Sequence, residues 1–510
     1  MTQQDHNLYS GFRQHFPSDL NQPLMETDEG VIYCYGDAEQ ESSRLAGFMV
    51  SLGLKPGDRV TVQVPKSPTA LWLYLACLRA GLVFHPLNSA YQRSELEYFL
   101  SNAAPSLVVC GSDAENTMSE LVAEQGIPVL TLDADGQGSL TERSANYPAD
   151  FDTVARAADD LAALLYSSGT TGRPKGIMLT HENLAANAQT LVEAWGFSAD
   201  DCLLHALPIF HVHGLFVALG CVLMSGARMR WLPSFNSKAV MAALPDCTVM
   251  MGVPTYYTRL LEEAQFGREE CRSLRLAISG SAPLLVEVFN AFRERTGHTI
   301  LERYGMTETN MNTSNPLEGE RKAGTVGLPL PGVEVRIADV QNQPLPIGEI
   351  GNLQVRGRNV FKGYWGMPEK TAEDFTEDGF FNTGDKGRVD EDGYVAIVGR
   401  AKDMIISGGL NVYPKEIEAF IDDLDGVSES AVIGVAHADF GEAVVAVVVP
   451  QSGCSAEPAQ LIDAVKQNLA NFKVPKKVFY VDELPRNTMG KVQKNVLREC
   501  YADCLSGGSH

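Results

Sequence analysis

The chain has 510 residues, 45% of them hydrophobic and 21% charged, enough to bury an extensive core and to divide into two or more domains. Its 41 Lys and Arg stand against 64 Asp and Glu, a formal charge of -23, which disfavours nucleic acid or an anionic membrane as the main partner but permits a local basic pocket. Ten scattered cysteines without metal-ligand spacing point to reduced, buried thiols rather than structural zinc.

The opening stretch MTQQDHNLYSGFRQHF has neither a basic start before an apolar core nor an Arg-rich amphipathic pattern, so no cleaved targeting signal is expected. The most apolar runs, ALWLYLACLRAGLVF and GLFVALGCVLM, are too short or too interrupted to span a bilayer. The expected compartment is the cytoplasm. In chain order, RVTVQVP predicts a strand and SPTALWLYLACLRAG a helix that Gly81 stops. SLVVCG and IPVLTL are further strands. LAALLYSS runs as a strand into a Gly/Thr-rich loop, GIMLT is a second short strand, and a helix begins near His181. LRLAISG, LLVEVFNAFRERTG and TILERYG then read strand, helix, strand. Repeated units of this kind predict an α/β fold of parallel sheets covered by helices. Residues 325–400, rich in Gly, Pro and short strands, predict an antiparallel or barrel-like subdomain. Beyond VGRAKDMI, the helix PKEIEAFIDDL, the strands ESAVIGV and AVVAVVV, the helix PAQLIDAVKQNLANF and the strand KKVFYV predict a small α+β domain. The expected division is 1–401 and 402–510.

The loop YSSGTTGRPKG, Tyr166 to Gly176, gathers two Ser, two Thr, three Gly and one Lys in eleven residues. Glycines let backbone N–H groups approach phosphate oxygens, hydroxyls add donors, and Lys175 adds charge. It is not the usual nucleotide loop, because Gly176 rather than Ser or Thr follows the lysine and a strand rather than a helix follows the loop. Residue types alone leave open a phosphate cradle or a plain turn of small residues.

The same string is followed in order by YGMTE (Tyr304 to Glu308), NTGD (Asn382 to Asp385), GRAKDMIISGG (Gly399 to Gly409) and PRNTMGK (Pro485 to Lys491). The set resembles the signatures of the adenylate-forming superfamily, which includes acyl-CoA synthetases, luciferases and peptide-synthetase adenylation domains. The resemblance implies that Ser167, Ser168, Gly169, Thr170, Thr171 and Lys175 hold the ATP phosphates. It implies that Tyr304 stacks on adenine in a slot lined by Gly280, Ser281 and Ala282. Asp385 would accept the ribose hydroxyls, Arg400 would bind ribose or phosphate, and Glu308, with Ser167, would hold Mg2+. Lys491 would be the catalytic lysine of adenylation and Lys402 the hinge of a mobile C-terminal domain. Gly408 and Gly409 would face a pantetheine tunnel for coenzyme A.

LHALPIFHVHGLF (Leu204 to Phe216) and LERYGMTETNMNTSNP (Leu301 to Pro316) resemble malonyl-CoA synthetases in particular. Arg303 is the distinctive residue. A dicarboxylate carries a second charge that must be partnered when buried, and a guanidinium offers a bidentate fork, here with Ser281 and His211 beside it. From the residues alone, Arg303 can instead pair with Glu302, and His211 and His213 can be satisfied core histidines. The implied activity is ATP-dependent ligation of malonate, or methylmalonate, to coenzyme A through an acyl-adenylate, releasing AMP and pyrophosphate. The alternatives are a CoA ligase for a short or aromatic monocarboxylic acid and an adenylating enzyme that loads a carrier protein.

Overall fold

A computed structural model describes residues 5–167, 174–400, 403–407, 410–437, 441–451, 457–469, 471–487 and 490–505. The buried helix Pro68–Arg79 shows how local sequence builds the core. Pro68 begins it, Ser67 caps it by accepting from the Ala70 N–H at 3.2 Å, and Gly81 follows in the left-handed region at φ 70°. Every residue from Ala70 to Arg79 is buried. The helix packs against Tyr35–Ser51 and the strand Val83–Pro86 within one apolar cluster that joins two sheets.

The nine-stranded sheet runs Leu328–Pro329, Asn310–Ser314, Ile300–Met306, Leu276–Ser279, Val249–Gly252, Cys202–His205, Arg228–Trp231, Pro23–Thr27, Ile32–Cys34. The seven-stranded sheet runs Gly363–Tyr364, Lys175–Thr180, Leu161–Ser167, Val83–Pro86, Arg59–Gln63, Leu107–Cys110, Val129–Thr131. Both are parallel through their centres, as expected, and antiparallel at edges. Leu161–Ser167 and Lys175–Thr180 pair antiparallel, Ser167 opposite Lys175, because the connection between them is too short for a crossover.

Val333–Ala338, Gly351–Gly357, Phe381–Val389 and Val395–Arg400 form the antiparallel subdomain expected over 325–400, with its own core of Val326, Ile337, Leu353, Val355 and Val395. The following strand, Ile405–Ser407, belongs to another sheet with Leu410–Val412, Gly441–Pro450, Val427–His437 and Lys477–Tyr480. The helices Pro414–Asp422 and Pro458–Asn468 cover one face of it over Ile417, Val432, Val444 and Leu461. Lys402, the expected boundary, lies outside the described residues. Among those residues no helix is long and apolar enough to cross a membrane.

Because Leu78 is fully buried at the centre of this packing, Leu78→Ala should destabilise the chain by about 2–5 kcal/mol, read as a lower midpoint in denaturant unfolding.

Candidate active site

Three neighbouring parallel strands, Val249–Gly252, Leu276–Ser279 and Ile300–Met306, end together at one edge of the sheet, which in such sheets is the usual place of the ligand crevice. Thr255, Gly280 with Ser281, and Arg303 with Tyr304 lie at or just beyond those ends. Successive side chains on a strand face opposite ways, and Glu302 and Arg303 do so. The Glu302 carboxylate accepts from the Leu284 N–H at 3.1 Å, and burial pushes its pKa up to about 7. The Glu302–Arg303 ion pair that the sequence left open does not form.

Arg303 is 3% exposed. Its Nε and Nη2 have no hydrogen-bond partner among the described residues. Burial lowers its pKa to about 9, against the opposing influence of Tyr257 and Cys221, so it remains a cation at neutral pH. The structure therefore holds a buried guanidinium fork with two donors that no described residue accepts from.

Beside it stands a one-turn π-helix, His213–Ala218, an irregularity frequent at functional sites. His213 Nδ1 lies 3.2 Å from Ser281 Oγ, and its Nε2 is buried without a partner among the described residues. Ser281 reaches it from a left-handed backbone conformation, φ 74°, unusual for a non-glycine residue. Burial, and then Arg303, holds His213 well below the usual histidine range. His211 is lowered to about 4 by burial, then by Arg303 and Lys491. Both rings are neutral at pH 7 and orient by hydrogen bonding rather than by charge. Sequence reasoning placed His211 here and missed His213; the only signal was the His-Val-His spacing of HVHG.

On the nucleotide side, the Tyr304 hydroxyl donates to Asp385 Oδ2 at 2.5 Å, joining two residues expected around the nucleoside. Asp385 sits opposite Arg400 in the strand register, and the Arg400 side chain lies outside the described residues. Lys175 is 3.9 Å from Asp374 and 4.7 Å from the Tyr364 ring centre. Ser168, Gly169, Thr170 and Thr171 lie outside the described residues, as do Lys402, Gly408 and Gly409. Glu308 is buried near Tyr364, and no cluster of three or more metal-ligating side chains occurs among the described residues. One hard carboxylate fits Mg2+, which takes most of its ligands from substrate phosphates and water.

Lys491 arrives from the C-terminal sheet on a tight hairpin. Its N–H donates to Asn487 Oδ1 at 3.0 Å, the Asn487 N–H donates to the Lys491 carbonyl at 2.9 Å, and Gly490 turns at φ 74°. A Cβ on Gly490 would stand 3.1 Å from Thr255 Oγ1, so this hairpin rests on the start of the helix Pro254–Glu262. The C-terminal lysine and Arg303 thus both act on His211, from different domains.

The match with known proteins follows the same two-part plan. The family model AMP-binding enzyme matches residues 15–365, and the model AMP-binding enzyme C-terminal domain matches residues 416–491. The chain belongs to the AMP-binding enzyme family. A malonate–CoA ligase of Arabidopsis thaliana is 36% identical over 493 residues, spanning 90% of this chain and 80% of that protein. A mitochondrial malonate–CoA ligase of Mus musculus is 38% identical over 499 residues, spanning 91% and 85%. The crystal structure of ATP-bound MatB from Rhodopseudomonas palustris matches with a TM-score of 0.96 at 52% identity, covering 98% of this chain and 100% of that one.

The buried histidines give this AMP-binding enzyme a defined acid limit. A histidine whose folded pKa is depressed contributes stability above its unfolded pKa, and that stability is lost as pH falls toward the folded value. With His211 and His181 both lowered to about 4, stability should decline from about pH 6.5 downward. Denaturant midpoints measured across that range check it, and His211→Asn should flatten the slope.

Proposed function

We propose that this AMP-binding enzyme ligates malonate to coenzyme A in two half-reactions. A carboxylate oxygen of malonate attacks the α-phosphorus of ATP and pyrophosphate leaves. The sulfur of coenzyme A then attacks the acyl carbon and AMP leaves. Arg303 holds the carboxylate that does not react, so the other is presented to the α-phosphate; positioning is the larger part of catalysis when two anions must meet. Ser281 and His213 hydrogen-bond beside the fork, and His211 lines the path between Arg303 and Lys491. Lys491 supplies positive charge where the carboxylate and α-phosphate approach each other. Tyr304 and Asp385 hold the nucleoside, with Arg400. Ser167 and Lys175 bracket the phosphate loop Ser168, Gly169, Thr170 and Thr171. Mg2+ on Glu308 would neutralise phosphate charge when bound.

The observation that carries this reading is the buried, unpaired fork of Arg303, which an alkyl or aryl acid would leave unanswered. The malonate–CoA ligases among its relatives support it. Methylmalonate adds one methyl group, worth only about 1–3 kcal/mol of discrimination, and is proposed as a second substrate of the same site. The proposed domains are 1–401 and 402–510, the second turning about Lys402 so that Lys491 faces ATP in one orientation and Gly408 and Gly409 face the pantetheine arm in the other. Nine free cysteines among the described residues suit a reducing compartment, and the enzyme is assigned to the cytoplasm.

Removing one partner of a buried charge pair costs about 3–5 kcal/mol, so Arg303→Met should lower kcat/KM for malonate roughly a hundredfold to several thousandfold. Butyrate has no second charge to lose and should suffer far less. Pyrophosphate exchange with both acids reads the comparison; an equal loss makes Arg303 structural. Lys491→Ala should abolish acyl-adenylate formation while sparing thioester formation from supplied acyl-adenylate. Loss of both half-reactions together contradicts that division.

A further inference from the structure

The seat of Arg303 has a feature that the activity alone does not explain. Ser279 pairs with Glu302 in the parallel register of Leu276–Ser279 and Ile300–Met306, so Gly280 lies abreast of Arg303 on the adjoining strand end. Neighbouring parallel strands are about 4.8 Å apart, and side chains at matched positions share a face. An arginine crossing toward the next strand must therefore pass over the position where a residue at 280 would place its Cβ. A Cβ built on Gly280 would lie 2.5 Å from Arg303 Cζ and 2.6 Å from both Nε and Nη1, and these are its three nearest neighbours. Backbone conformation does not require glycine here, because Gly280 is absent from the positive-φ residues. Contact with the guanidinium is what excludes a side chain.

We propose that Gly280 is a specificity-determining position: its missing Cβ is the seat that lets the Arg303 guanidinium lie flat across the strand ends and present its fork to the second carboxylate of the substrate. This rests on the dicarboxylate reading of Arg303 and extends it. Charge recognition in this crevice then needs two residues from two strands, an arginine on one and an empty position on its neighbour. Any side chain at 280 lifts the fork out of register and leaves a pocket that treats dicarboxylic and monocarboxylic acids more alike. Gly280 touches the arginine, and acts on the substrate through it.

Gly280→Ala, Arg303→Ala and the double variant form a cycle that isolates this coupling. The readout is the ratio of kcat/KM for malonate to that for butyrate, measured by pyrophosphate exchange. A displacement of about 1 Å in a positioning group can lower rate about a hundredfold, so Gly280→Ala should lower the ratio by about that factor. In the Arg303→Ala background the same change should leave the ratio where Arg303→Ala alone puts it. Thermal stability gives a second readout: Gly280→Ala should lower Tm when Arg303 is present, and leave it level or raise it when Arg303 is Ala, because the three atoms the new methyl would strike are then gone. If Gly280→Ala alone does not fold, the double variant still should; failure of both to fold overturns the proposal. So does a wild-type ratio in Gly280→Ala, or an equal fall on both backgrounds. Should Arg303→Ala by itself lower both acids equally, the dicarboxylate reading falls and the proposal with it. A selective loss in Arg303→Ala with none in Gly280→Ala overturns the proposal alone.

Discussion

A buried guanidinium is stable only if an anion meets it, or if the rest of the fold sustains the imbalance until one does. Arg303 is in that position. Its nearest acidic neighbour in sequence, Glu302, faces the other side of the strand and is held by Leu284. The groups that face the guanidinium are a phenol, a thiol and two imidazoles kept neutral by burial. Each can orient a substrate, and none cancels the charge.

The sheet architecture makes that arrangement possible. Parallel strands end together, so side chains distant in sequence converge: Ser281 meets His213 across 68 positions, and Tyr304 meets Asp385 across 81. The second of these contacts ties the large sheet to the antiparallel subdomain. Lys491 comes from a third sheet, with its own apolar core, on a hairpin that leans on Thr255. The residues proposed to hold acid and nucleotide and to supply the catalytic cation are thus carried by separately packed units, so the proposed turn of the last unit would change which residues complete the site.

The parts legible in the sequence were those carried by contiguous strings. YGMTE, NTGD and PRNTMGK located Tyr304, Glu308, Asp385 and Lys491, and hydrophobic runs located most strands and helices. Direction was legible only in outline, from the strand-helix-strand alternation and the Gly/Pro-rich stretch, and not strand by strand. Apolar periodicity does not distinguish a parallel from an antiparallel neighbour, so the hairpin around the phosphate loop and the antiparallel sheet edges emerged only in the fold. The π-helix at His213 has no compositional signature, and the contact with Ser281 depends on a left-handed turn at a residue type that rarely adopts one. Gly280 read as lining for the adenine slot; only the register beside Arg303 shows what its missing side chain accommodates.

The central claim is that Arg303 recognises charge, and it can be tested on the substrate side with the protein unaltered. Malonamate keeps the length of malonate but ends in a neutral amide, with one acceptor oxygen and an NH2 donor where malonate has two acceptors, so it would leave the guanidinium charge unanswered and its fork half satisfied. The account predicts that wild-type kcat/KM for malonamate, measured by pyrophosphate exchange, falls at least about a hundredfold below that for malonate, the equivalent of roughly 3 kcal/mol. Equal kcat/KM values for the two acids would show that the fork does not read the second charge, and would contradict the account.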